Sequence, residues 1–170
     1  MQDVVNRKNC IVVSFKKMGN DEQIQKLALL DSGNNLLCPA MSTRLYEELK
    51  DKGYISKDVQ LKKTMMKANS VQGQKLKVKG ILQIETGSIW VSGIKLSLNK
   101  YYIIDDLNTE VNLGQVTMAK MNLKWDFMNS YVVLKEKRIQ LKTNTHVFKV
   151  GQVDNIVLVE PKGGHYERLL

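Results

Sequence analysis

The chain has 170 residues, of which 43% are hydrophobic and 25% charged, and a formal net charge of +9. That size and composition suit one folded domain with its own core and exclude global disorder and a collagen-like chain. No apolar run approaches the roughly 20 residues of a membrane-spanning helix, and two cysteines, Cys10 and Cys38, do not make a disulfide framework.

The basic balance suggests an acidic partner at first sight, but its details point elsewhere. Lysine accounts for 22 of the 26 basic residues and arginine for 4, and the lysines are spread along the whole chain. Arginine is the preferred bidentate reader of phosphates and bases. A solvated lysine surface is the expectation, with neither nucleic acid nor membrane as a partner of this domain. The polar N-terminus, MQDVVNRKNC, lacks the apolar stretch of a signal peptide. A cytoplasmic, reducing compartment is expected.

In chain order the pattern is mostly that of strands. Cys10 to Phe15 is apolar and β-branched, and Gln25 to Leu30 runs into the turn formers Asp31-Ser32-Gly33-Asn34-Asn35. Leu36 to Cys38 reads as a resumed strand stopped by Pro39. A helix is predicted from Ser42 or Thr43 to Lys52, with a hydroxyl cap, Met41, Leu45 and Leu49 spaced four apart, and Gly53 as its stop. Residues 61–85 read as a long β-hairpin, because Leu76, Val78, Leu82 and Ile84 share one parity while Lys75, Lys77 and Gln83 share the other. Ile89–Leu98, Tyr101–Ile104, Trp125–Phe127, Tyr131–Leu134, Ile139–Leu141 and Asn155–Val159 are further predicted strands. Val116 to Met121 is a second short helix, and the tail PKGGHYERLL reads as mobile. The class is all-β with one or two helices.

Several chemistries lack their residues. There is no Gly-rich phosphate loop, no Gly-x-Ser-x-Gly elbow and no zinc spacing, and His146 and His165 lie far apart in sequence. Neither a metal nor any other cofactor is expected. Cys38 sits in an apolar run where a thiol is inert. The informative segment is Leu29-Leu30-Asp31-Ser32-Gly33. There an apolar strand delivers an acid, a hydroxyl and a glycine to a tight turn. A carboxylate placed after three residues expected to be buried needs hydrogen-bond partners, or its ionised form is penalised.

From here the chain resembles the retropepsins, the aspartic proteases of retroviruses and LTR retrotransposons, and most of all the gypsy-type form. Three motifs carry the resemblance in order: LALLDSGNNLLCPAMSTRLYEELKDKGY, the hairpin MMKANSVQGQKLKVKGILQI where the family has its flap, and EVNLGQVTMAKMNLKWDF. The resemblance implies an acid-protease β-barrel, one lobe per chain, over residues 9–142. Residues 1–8 would be an N-terminal extension and 143–170 a C-terminal one with one added strand. It implies a homodimer in which Asp31 of each chain forms the catalytic dyad. Ser32 would lock the turns across the axis, and Gly33 would leave room beside the carboxylates. Leu29, Asn34, Asn35, Asn112 and the flap residues Asn69, Ser70, Val71, Gln72 and Gly73 would meet an extended peptide or polyprotein. Gly114 and Gln115 would support the site and the dimer.

The chain also departs from the family's pattern. Asn34 and Asn35 stand where a small residue and an acid are usual, Gln115 where an arginine is usual, and Asn112 where an apolar pocket residue is usual. An amide–amide bond between Asn35 and Gln115 is the expectation in place of the ion pair. Two other readings stay open: a domesticated dimerisation module with little or no turnover, and a basic nucleic-acid-binding β-barrel.

Overall fold

The computed structural model describes residues 3–17, 19–70, 73–85, 89–107, 109–126, 128–148 and 156–161. The β-branched N-terminal run forms β1 (Asp3–Lys16), which pairs antiparallel with β2 (Gln23–Asp31) from Cys10↔Leu29 to Lys16↔Gln23. Alternation along β1 sends Ile11, Val13 and Phe15 into the core. The part of β1 expected to be an extension, from Asp3 to Lys8, pairs with β14 (Lys142–Phe148).

After β2 the chain turns at Asp31 and reaches β3 (Ala40–Ser42) and α1 (Thr43–Asp51). Leu36 to Cys38, expected to be a strand, is irregular; the strand starts beyond Pro39, which has no N–H for a ladder. Leu36 and Cys38 are nevertheless buried, which is why the segment reads as a strand. For α1 local signals suffice. Ser42 Oγ accepts from Leu45 N at 3.1 Å, and Leu45 and Leu49 face the core. At the other end Gly53 takes φ +79, so that Gly53 N donates to Lys50 O and Tyr54 N to Leu49 O, closing the helix in a Schellman motif.

The predicted hairpin 61–85 is broken into β4 (Met66–Ser70), β5 (Lys75–Leu76) and β6 (Val78–Gln83), with a register shift between Val78 and Gly80. That bulge switches the parity: Val78 shares a face with Ile81, while Leu82 and Ile84 pack into the apolar cluster on the opposite face, against the simple alternation. Ile89–Leu98 is likewise a hairpin, β7 (Ile89–Val91) and β8 (Ile94–Leu96), turning at Ser92-Gly93. The remaining elements are β9 (Lys100–Ile104), β10 (Val111–Gly114), α2 (Gln115–Lys120), β11 (Lys124–Asp126), β12 (Tyr131–Leu134), β13 (Lys137–Gln140) and β15 (Ile156–Pro161).

The main sheet runs β6-β9-β3-β10-β2-β1-β7-β8 and curls into a half-barrel, with β14 alongside β1. Two small sheets, β11-β12-β13 and β15-β4-β5, complete the lobe. The main core lies between the curled sheet and α1. A second apolar cluster joins Leu36, Cys38 and Tyr102 to Met66, Ala68 and Leu76 of β4 and β5. Pro161, expected to open a mobile tail, instead pairs with Met66; the rest of that expected tail, residues 162–170, lies outside the described residues.

Candidate active site

The position of β10 makes the site. It lies between β2 and β3, parallel to β2 with Asn112↔Leu29 and Gly114↔Asp31, and antiparallel to β3. The link from β2 to β3 must therefore pass over the end of β10, and there the backbones nearly touch. A Cβ on Gly114 would stand 2.5 Å from Asn34 O and 2.8 Å from Asn34 Cγ. Gly114 is thus required by close approach. Gln115 N donates to Asn34 O at 2.9 Å and ties the turn to the start of α2.

Asp31 ends β2 and is only 7% exposed, while Ser32 and Gly33 are exposed. Gly33 N donates to Asp31 Oδ1 at 3.1 Å, and Asn34 N donates to Asp31 O at 3.1 Å. The second carboxylate oxygen, Oδ2, accepts from Asn112 Nδ2 at 3.0 Å. Asn112 Oδ1 in turn accepts from Asn34 Nδ2 at 2.8 Å, and Asn34 Oδ1 accepts from Leu36 N at 2.8 Å. One backbone N–H and one carboxamide are thus among the partners that a buried carboxylate needs.

Three residues expected to line a substrate site do not face outward. Leu29 is 1% exposed, and Asn34 and Asn112 are fully buried. Leu29 is held within the sheet, and the two asparagines are turned onto each other and Asp31. The expected Asn35–Gln115 bond is also absent: Asn35 Oδ1 is buried without a hydrogen-bond partner among the described residues, and Gln115 is exposed. Of the residues expected to form a flap, Asn69 lies in β4 opposite Lys75, and Gly73 is exposed with φ +81. Ser70 closes β4 opposite Ile156, and Val71 and Gln72 lie outside the described residues. Sequence reasoning flagged Asn34 and Asn112 as departures but missed that they meet. The available signal was that two positions expected to be small or apolar both carry amides.

Cys10 and Cys38 are buried free thiols. Burial, and secondarily Cys38, pushes the Tyr101 phenol well above its ordinary range. Tyr101 and Tyr102 are fully buried, so they offer no stacking face.

The sequence matches no family model and no curated protein. Among solved structures the chain is similar to the retroviral protease-like domain of Ddi1 from Leishmania major. The match has a TM-score of 0.56 and 13% identity, and covers 79% of this chain and 93% of that one. The fold is therefore retropepsin-like: a mostly β lobe with a curled half-barrel sheet and two helices.

Proposed function

We propose that the chain is one half of a homodimeric aspartic endopeptidase, with Asp31 of each subunit forming the catalytic dyad. The observation that carries this is the Asp31 turn. A nearly buried carboxylate, both oxygens accepting N–H bonds, sits at the crossing of β2 and β10 beside an exposed Ser32 and Gly33. The retropepsin-like fold supports the same reading.

Two carboxylates brought about 3 Å apart cannot both ionise, so the dyad shares one proton. The ionised Asp31 takes a proton from water as that water attacks the scissile carbonyl carbon. The protonated partner gives its proton to the carbonyl oxygen. The resulting diol returns a hydroxyl proton to the dyad and collapses as the amine leaves with the proton the dyad took from water, so the dyad again shares one proton and no covalent enzyme intermediate forms. No metal or cofactor enters these steps. Ser32 hydroxyls bridge the two turns, and β4 and β5 act as the arms of a flap over an extended peptide, which pairs by backbone hydrogen bonds. A retroelement polyprotein in the cytoplasm fits this role.

The test is a mass-spectrometric map of products from denatured proteins at mildly acidic pH, with Asp31→Asn as control. Discrete cleavage that Asp31→Asn abolishes, in a protein that still folds, is expected. Equal cleavage by folded Asp31→Asn, or none by the unaltered chain, overturns the endopeptidase.

A further inference from the structure

The dyad reading asks each chain for one carboxylate at a turn, yet Asp31 stands at the end of a directed row of side-chain amides. The direction begins at Leu36 N, which has only a proton to offer. It bonds Asn34 Oδ1 at 2.8 Å, and that fixes which end of the Asn34 amide faces Asn112. Asn34 Nδ2 then donates to Asn112 Oδ1 at 2.8 Å, which leaves Asn112 Nδ2 to donate to Asp31 Oδ2 at 3.0 Å. One backbone proton thus sets the sense of three hydrogen bonds. Asn34 and Asn112 are fully buried, so no water can take the place of a lost partner without a cavity forming.

Reversing the last bond has a definite cost. A proton on Asp31 Oδ2, aimed at Asn112, would need that residue to present its carbonyl. Its NH2 would then oppose the NH2 of Asn34, two donors face to face, while Leu36 N keeps Asn34 from turning. The bond at Oδ1 has no such row behind it to reverse: Gly33 N donates to it, and accepting that proton uses one of the oxygen's two lone pairs.

We propose that Asn112, oriented by Asn34, is a positioning residue that keeps Asp31 Oδ2 a hydrogen-bond acceptor through the reaction, so that the shared proton of the dyad is carried on Oδ1. The proposal rests on Asp31 being the catalytic acid. Other charges around it are few: the turn Ser32–Leu36 and β10 carry no titratable side chain. On β1, Cys10 lies opposite Leu29. The lysine of α2, Lys120, is at the far end of that helix and points to Leu37 O at 3.4 Å. The two departures from the family's pattern are then one device: Asn34 donates to Asn112, and Asn112 donates to Asp31.

The test follows the Asp31 carboxyl carbon by NMR against pH in protein carrying ¹³C-aspartate, with Asp31→Asn to assign the signal. A donor on a carboxylate favours its charged form, so removing it raises the titration midpoint. Asn112→Val is expected to move the midpoint to higher pH by about one unit. Asn34→Ala keeps the amide but frees its direction, and is expected to move it the same way by less. The acid limb of kcat/KM should follow both. An unmoved midpoint in folded Asn112→Val, or in Asn34→Ala should Asn112→Val fail to fold, overturns the inference. Cleavage by the unaltered chain with unmoved midpoints sinks this inference and leaves the endopeptidase standing. Moved midpoints in a chain that cleaves nothing sink the endopeptidase, and with it the role of the held oxygen in a dyad.

Discussion

Single atoms decide much of the balance in this fold, and Tyr101 shows it most simply. Its ring is fully buried against Phe15, with centroids 6.5 Å apart, but its hydroxyl has no hydrogen-bond partner among the described residues. A buried hydroxyl without a partner costs its desolvation and returns nothing. Tyr101→Phe should therefore stabilise the chain by about 1 kcal/mol. In a domain of this size that raises Tm by about 2–4 °C; a lowered Tm in calorimetry would contradict it. Glu48 is the opposite case. Lys26 Nζ at 2.8 Å, and then Lys52 Nζ at 2.6 Å, hold its carboxyl below the ordinary value of 4.5. A depressed carboxyl contributes stability that is present above its ordinary value and is lost as pH falls through the folded one. Glu48→Gln should cost on the order of 0.5–1 kcal/mol at neutral pH. The gap to the unaltered chain should close as melts are taken from about pH 6 down towards about pH 3, through the range in which a glutamate carboxyl titrates. A gap that stays constant with pH would show that packing, and not charge, is what Glu48 supplies.

At the scale of elements, the crossing of β2 and β10 is the structure's tightest demand. Gly114→Ala would push a methyl group into Asn34 O, a backbone atom that cannot swing away. It is expected to cost about 1–3 kcal/mol and to loosen the Asp31 turn, read as faster amide exchange at Gly33, Asn34 and Gln115. Unchanged exchange there would mean that the crossing is not tight. The same crossing marks where sequence reading stops. The helix α1 was legible because its cap, its apolar spacing and its terminal glycine all lie within a dozen neighbouring residues. The strand β10 was not, since four residues buried between two other strands carry no alternation. The hairpin β7–β8 read as one strand because its turn, Ser92-Gly93, adds only two residues to an apolar run. Asp31, Ser32 and Gly33 stood out from local chemistry, whereas the Asn34–Asn112 contact joins residues 78 apart and depends on the parallel register of β2 and β10.

For the whole molecule, the proposed dyad requires two chains, because this retropepsin-like lobe carries one Asp-Ser-Gly turn. In the proposed dimer each chain brings +9, so association works against self-repulsion that salt relieves. The flap side carries a further feature, since the outer edge of β4 is paired along Ile156–Pro161 of the same chain. Under the proposed function, a peptide substrate would therefore use another edge or displace β15. The dimer itself is tested most directly by subunit mixing at concentrations where chains are fully associated. An equal amount of Asp31→Asn chain is added to a fixed amount of unaltered chain, and cleavage is measured after exchange. Random pairing leaves about a quarter of the dimers with two Asp31 residues. Activity should then fall to about half of its starting value, and further as more Asp31→Asn chain is added. Activity that stays constant through the titration would mean that each chain carries a complete site, and would contradict the dyad.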